Sequence, residues 1–261
     1  MSPPKADVPL DTEIGQKAGF CNGLLIDDAK IKKLAEMGNA GIAIGLDGFK
    51  EDTDDRKGQG TFDKAMETMR KLRDAGVIVG FSAMTSRKNF DVIHSEAFFD
   101  TIIENGAGFG WMSIAVPQGR ASTETDLIPT TEQKTQIQGL IKNLKQTKPI
   151  LIIDFLTDAY LTEGCGAGRV IWHINANGDA EPCVLMPFAV DNIREKSFLE
   201  IIRSDFFKGV RGIHQRHCNE SQTCMMTFQP KEVFDVIQQC GARETSIGTL
   251  EALNELAKKQ E

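Results

Sequence analysis

Several features that would assign a function outright are missing from this sequence. No apolar run approaches the roughly 20 residues that span a bilayer, so no membrane partner is expected. Positive charge is not in excess. The 30 Lys and Arg face 37 Asp and Glu, for a net charge of -7, which argues against a nucleic-acid or anionic-membrane surface. The opening MSPPKADVPLDTE is Pro-rich and charged without an apolar centre; it reads as a loose leader, residues 1–19, and not as a secretory signal. Six cysteines in 261 residues are too few for a disulfide scaffold, and a reduced, cytoplasmic setting is expected. Nucleotide-binding glycine patterns are absent as well. GQGTFD (Gly58–Asp63) has no third glycine and follows no strand, GCGAGR (Gly164–Arg169) leads into a strand-like run, and no Walker pattern occurs.

What is present has two different grammars. With 41% hydrophobic and 26% charged residues, the composition supports a packed core. From Phe20 to about residue 160, short apolar runs alternate with amphipathic stretches. Strands are expected at Gly23–Ile26, Ala40–Gly48, Val77–Thr85, Phe109–Pro117 and Pro149–Phe155. Helices are expected over Asp28–Met37, Thr61–Ala75, Glu96–Asn105 and Thr131–Lys145. Such alternation means βαβ units and a parallel sheet, open or barrel-like. Asp47, Ser82 and Arg120 each stand just past an apolar run, where parallel α/β folds bind ligands. Solvated loops are polar in any protein, so position alone does not separate these residues from ordinary loop chemistry.

Beyond residue 160 the pattern changes to a small cysteine-bearing module, residues 161–261. Val170–Ile174 alternates like a strand and Asn177-Gly178 is a hairpin turn signal. Helices follow at Lys196–Ile202, Asp205–Ile213, Lys231–Cys240 and Ile247–Lys258. Cys165, Cys183, Cys218 and Cys224 fall in one 60-residue window. With the turn centred on Asn177-Gly178, Cys183 pairs across the ladder with Trp172, and a straight hairpin leaves Cys165 roughly 23 Å away. The two meet only if the chain before Arg169 curls back, which Gly164, Gly166 and Gly168 permit. Four thiolates suit a [4Fe-4S] cluster or a tetrahedral zinc; the third reading is free buried cysteine. Spacing without tight Cys-x2-4-Cys knuckles suits the larger group, whereas His214 and His217 beside Cys218 suit zinc.

The sequence resembles the radical SAM superfamily, in particular members with a C-terminal SPASM or twitch-type iron–sulfur module. Cys165-x12-Gly178-x4-Cys183 matches the module's C-x(9–15)-G-x4-C, and NGDAEPC, DNIREKSFLEIIRSDFFKGVR and the last two cysteines of the window read like the same module. In the body, NGLL, LDG followed by RKGQGTFDKAM, and PQGRA resemble the third to sixth strands of that family's partial TIM barrel. The resemblance implies an incomplete TIM-type parallel β/α barrel followed by a small α+β module. It also implies an auxiliary [4Fe-4S] cluster on Cys165, Cys183, Cys218 and Cys224, and S-adenosylmethionine (SAM) contacts near Asp47, Ser82 and Arg120 in full-length relatives that modify a peptide or small substrate.

One departure stands against the match. The Cys-x3-Cys-x2-Cys motif that holds the family's SAM-cleaving cluster is absent from this sequence, as is the family's glycine-rich motif after the second strand. Gly45 stands where relatives often carry serine. The expectation is a chain catalytically incomplete by itself, either a gene fragment or one half of a split enzyme whose partner supplies the N-terminal strands. A non-catalytic electron-transfer or binding module and a zinc-stabilised α/β protein are the other readings. An exposed first strand is expected to promote self-association.

Overall fold

The computed structural model describes residues 17–116, 127–154, 158, 163–217 and 224–258. The body runs β1 (Lys17–Cys21), α1 (Asp28–Met37), β2 (Ala40–Gly45), α2 (Lys50–Lys57), α3 (Thr61–Asp74), β3 (Ile78–Thr85), α4 (Phe90–Ile93), α5 (Glu96–Glu104), β4 (Phe109–Ile114), α6 (Thr131–Thr147) and β5 (Leu151–Asp154). Its five strands form one sheet in sequence order, every neighbouring pair parallel. This is the expected α/β architecture, a partial TIM-type barrel.

Helix ends follow local chemistry. Asp27 accepts from the Lys30 amide at the start of α1, Ser95 from Phe98 at α5, and Thr130 with Gln133 closes a capping box on α6. The first strand lies earlier than expected. Gly23–Ile26 is not a strand; β1 is Lys17–Cys21, so Lys17 to Gly19 belong to the sheet and not to a leader. Asn22-Gly23 acts as a turn: the Asn22 side chain accepts from the Leu24 amide at 3.1 Å and Gly23 takes φ +77°. Turn chemistry overrides the short apolar run that follows it. Helices α2 and α4 were not anticipated: α2 is polar throughout, and α4 is a single turn of four residues.

The two faces of the sheet differ sharply. On the helix-covered face Ile44, Leu46, Val79, Phe81, Met112, Ile114 and Ile152 are buried with Met69, Leu72, Phe98, Phe99, Ile102 and Ile141. Phe81 packs edge-on against Phe98 and Phe99, and Gly110 leaves room for its ring, since a Cβ there would lie 2.3 Å from Phe81. The opposite face carries Ile78 and Leu151, 56% and 64% exposed. A parallel sheet is normally covered on both sides; among the described residues this one is covered on one. The outer edge of β1 likewise has no neighbouring strand among them.

The module adds β6 (His173–Ile174), β7 (Ala180–Glu181), β8 (Phe188–Ala189), α7 (Phe198–Ile202), α8 (Asp205–His217), α9 (Met225–Phe228), α10 (Pro230–Cys240), β9 (Arg243–Glu244) and α11 (Thr249–Lys258). Its regular strands are short, two residues each, and pair β6 with β7 and β8 with β9. A separate core of Met186, Phe188, Phe206, Phe207, Val210, Ile213, Val233, Ile237 and Leu253 supports it. The hairpin is present, shifted by one residue: His173 faces Glu181 and Ile174 faces Ala180. The Asn175 side chain accepts from the amides of Asn177 and Asp179 at 2.9 and 3.1 Å. It thereby holds a loop wider than a two-residue turn, so Cys183 is not opposite Trp172.

Candidate metal centre and strand-end cavity

The curl that the glycines permit is realised. Gly164 and Gly168 take φ +102° and +66°, a region closed to most side chains. The Gly166 carbonyl accepts from the amides of Arg169, Val170 and Ile171, each at 3.0 Å, which winds the chain into a tight turn. The Gly168 amide then donates to the Pro182 carbonyl at 2.8 Å, fastening this turn to the residue before Cys183. Arg211 of α8 reaches the Gly168 carbonyl at 3.1 Å. Cys224 arrives from a third segment as the residue before α9, its carbonyl accepting from Thr227 and Phe228.

These three thiols are free and sense one another. Burial, followed by the charges of Cys224 and Cys165, pushes the Cys183 thiol far above its usual range. Burial, reinforced by Cys165, pushes Cys224 up to about 11. A metal bound at Cys183 and Cys224 would have to displace their protons, so its affinity falls as pH falls. Cys224 packs against both the body core and the module core, and Cys165 and Cys183 against the module core. Lys134 of α6 lies close enough for the Cys224 charge to oppose the lowering of its pKa by burial, and its ammonium stands 5.9 Å from the Phe228 ring centre. Sequence reasoning did not find Lys134, one of several lysines on α6.

Cys218 and Arg120 lie outside the described residues. Among the described residues no three His, Cys, Asp or Glu side chains converge tightly enough for a single ion. His217 is hydrogen-bonded to Glu232, and His214 is buried on α8. The described cysteine candidates, Cys165, Cys183 and Cys224, come from three segments, and thiolates are donors suited to an iron–sulfur cluster, whose ligands bind different irons.

The second feature is an open cavity of about 310 Å³ at the carboxyl ends of β1 to β4, lined by Phe20, Asp47, Arg56, Lys57, Ser82 and Trp111 among others. Register puts Gly45, Ser82 and Trp111 in one row across the sheet. Two of the three strand-end candidates, Asp47 and Ser82, therefore share one site. Asp47 is buried; its Oδ1 is 2.7 Å from Arg56 and its Oδ2 3.2 Å from Lys57, while Oδ2 receives no hydrogen bond. Lys57 donates to the Gly45 carbonyl at 2.6 Å, and burial lowers its pKa against the pull of Asp47. Arg56 and Lys57 were visible in the sequence only as part of a longer phrase, because the return of α2 across the strand ends is a tertiary fact.

Two family profiles match the chain. Residues 11–91 match the Radical SAM superfamily profile and residues 165–226 that of an iron–sulfur cluster-binding domain, SPASM. The sporulation killing factor maturation protein SkfB of Bacillus subtilis is 27% identical over 190 residues, 70% of this chain and 45% of that protein. The mycofactocin maturase MftC of Mycolicibacterium smegmatis is 30% identical over 181 residues, 65% of this chain and 44% of that protein. The chain thus spans less than half the length of both relatives. SuiB of Streptococcus suis, solved alone, with S-adenosylmethionine and with the precursor peptide SuiA, shares the fold. The structure of SuiB alone aligns with a TM-score of 0.57 at 16% identity, covering 76% of this chain and 51% of SuiB.

Proposed function

We infer, for a chain that belongs to the radical SAM superfamily and carries its SPASM iron–sulfur domain, that Cys165, Cys183, Cys218 and Cys224 hold an auxiliary [4Fe-4S] cluster. The observation that supports this reading is the Gly164–Gly168 curl, fastened to Pro182 beside Cys183, together with thiols at Cys165, Cys183 and Cys224 near enough for their charges to interact. Such a cluster, when bound, supplies one-electron chemistry. The residues of this chain hold it, exclude water through the module core, and place Lys134 beside Cys224.

The SAM-cleaving centre is a different matter. Asp47 and Ser82 line the strand-end cavity, but the sequence contains no Cys-x3-Cys-x2-Cys, so these residues supply no thiolates for that centre and no SAM-dependent step is assigned to them. The activity proposed for a whole assembly that includes these residues is modification of a peptide or small substrate; the maturation roles named for SkfB and MftC support it.

Anaerobic purification with iron, sulfide and zinc analysis tests the metal assignment. About four irons and four sulfides per chain are expected, with a brown absorption that Cys183→Ala abolishes. Loading should weaken as pH falls, because protons compete for the raised thiols. A colourless protein with about one zinc per chain, or undiminished iron in Cys183→Ala, overturns it. SAM mixed with the loaded chain alone should yield no 5′-deoxyadenosine.

A further inference from the structure

Lys134 stands where its surroundings in the body oppose its charge. It lies in the first turn of α6, and the N-terminal end of a helix dipole disfavours a cation. It is half-buried; burial lowers its pKa, and Arg87 adds a like charge nearby. The placement is nevertheless firmly built. Thr130 and Gln133 cap the helix start, and the Gln133 side chain donates to the Arg87 carbonyl at 3.2 Å. The Arg87 amide and Nε in turn donate to the carbonyls of Leu127 and Ile128, at 2.9 and 3.1 Å. These bonds tie the first turn of α6 to the loop after β3 and fix where the Lys134 side chain begins.

What answers the charge comes from the module. Lys134 Nζ is 5.9 Å from the centre of the Phe228 ring, within cation–π range. The Phe228 amide donates to the Cys224 carbonyl at 2.9 Å, so ring and thiol belong to one hydrogen-bonded turn. Cys224 is also one of two module residues, with Leu185, that pack against the body core. Leu185 lies in the turn that the Met186 amide closes on the Cys183 carbonyl at 3.0 Å. Two cysteine-bearing turns of the module thus touch the body, and the body brings Lys134 to one of them. Charge on Cys224 is the influence that favours the ammonium against burial and Arg87. A neutral thiol has no such charge to give, whereas a metal-bound thiolate does. The conflict around Lys134 is therefore relieved in the metal-bound state, as expected where local strain serves a site.

We propose that Lys134, held on the Phe228 ring beside Cys224, is the body's countercharge to the iron–sulfur site and raises its reduction potential by favouring the reduced, more negative state. This rests on the cluster assignment made above. Reduction takes one electron from a one-electron donor outside the chain, and no bond in the protein forms or breaks. The added negative charge interacts with a fixed ammonium in partly desolvated surroundings, where attraction is stronger than in water. Arg87, exposed on its loop, is more screened and contributes less. Because the ammonium belongs to α6, the potential depends on contact between body and module, and loosening Phe228 from Lys134 lowers it.

The test is a redox titration of the full chain, loaded anaerobically with iron and sulfide, reduced with dithionite and followed by the paramagnetic signal of the reduced cluster. Lys134→Met should shift the equilibrium about tenfold toward the oxidised state, a fall of about 59 mV for one electron. Lys134→Arg should stay near the wild-type potential. Lys142→Met, which removes the same charge from an exposed position farther along α6, should leave the potential unchanged. An unmoved potential in loaded Lys134→Met overturns the proposal, as does an equal fall in Lys142→Met. Should Lys134→Met fail to fold or to load, Phe228→Leu decides: a fall in the same direction is expected, and an unchanged potential overturns the proposal. A wild-type chain that takes up no iron–sulfur cluster ends this proposal and the cluster assignment together. A loaded wild-type chain whose potential ignores Lys134 ends this proposal alone.

Discussion

Body and module solve the problem of holding a shape by different means. The body uses repetition: each strand pairs in parallel with the next, and one apolar face is sealed by helices. The module has two-residue strands and relies on particular contacts instead. Asp179 accepts from Asn175, Asn192 and Arg243, and Glu181 is bonded to His173, Asn175 and Thr245. Both carboxylates are buried, and each is satisfied by partners far apart in sequence, which pins the hairpin to β9. Long ladders tolerate the loss of one contact, whereas a network of single contacts does not.

The sharpest way to break this comparison is to remove the metal. With a chelator or in Cys183→Ala, the module is expected to become protease-sensitive while a fragment matching residues 17–154 persists; limited proteolysis with mass spectrometry checks this. Uniform resistance across the chain would show that the module stands without its metal. Phe81→Ala acts on the other side. Its ring is fully buried in the body core, so a loss of about 3–5 kcal/mol is expected by denaturant unfolding, with iron content per folded chain unchanged.

A smaller effect, confined to the module, comes from Arg243→Met. The Arg243 hydrogen bond, opposed by burial and aided by Asn175 and Asn192, holds the Asp179 carboxyl below the usual carboxylate range. A depressed carboxylate stabilises the folded state above its unfolded pKa, near 4, and that contribution is lost as pH falls through the folded value. Arg243 is about half exposed, so its removal should cost only about 1 kcal/mol at pH 7. The acid limb of the stability curve should become shallower below about pH 4. Smallest in stability is Ile78→Lys with Leu151→Lys on the uncovered sheet face. Melting should stay within a few degrees, while concentration-dependent association, read by sedimentation, declines.

Much of this was legible because it is local. Hydrophobic period placed the helices Asp28–Met37 and Thr61–Asp74 and the strands after them within a residue or a few, since burial of one face demands that period whatever the neighbours are. Glycines around Cys165 announced the curl, because positive φ has few other occupants. The first strand was misplaced for an equally local reason, Asn22-Gly23 acting as a turn. Lys57 and Lys134 were not legible at all: their chemistry comes from what they face, Gly45 and Asp47 in one case and Cys224 in the other.

By itself, then, the sequence determined the alternation that makes a parallel sheet, the glycine-bracketed cysteines and the absence of a SAM-cleaving motif. These are properties of neighbours along the chain. Tertiary structure alone decided that Cys224 touches both the body core and the module core, and that the Lys57 ammonium stands 3.1 Å from where a Cβ on Gly45 would lie. Convergence of distant residues depends on how elements pack, and packing is set by the whole of each face and not by any short stretch of it.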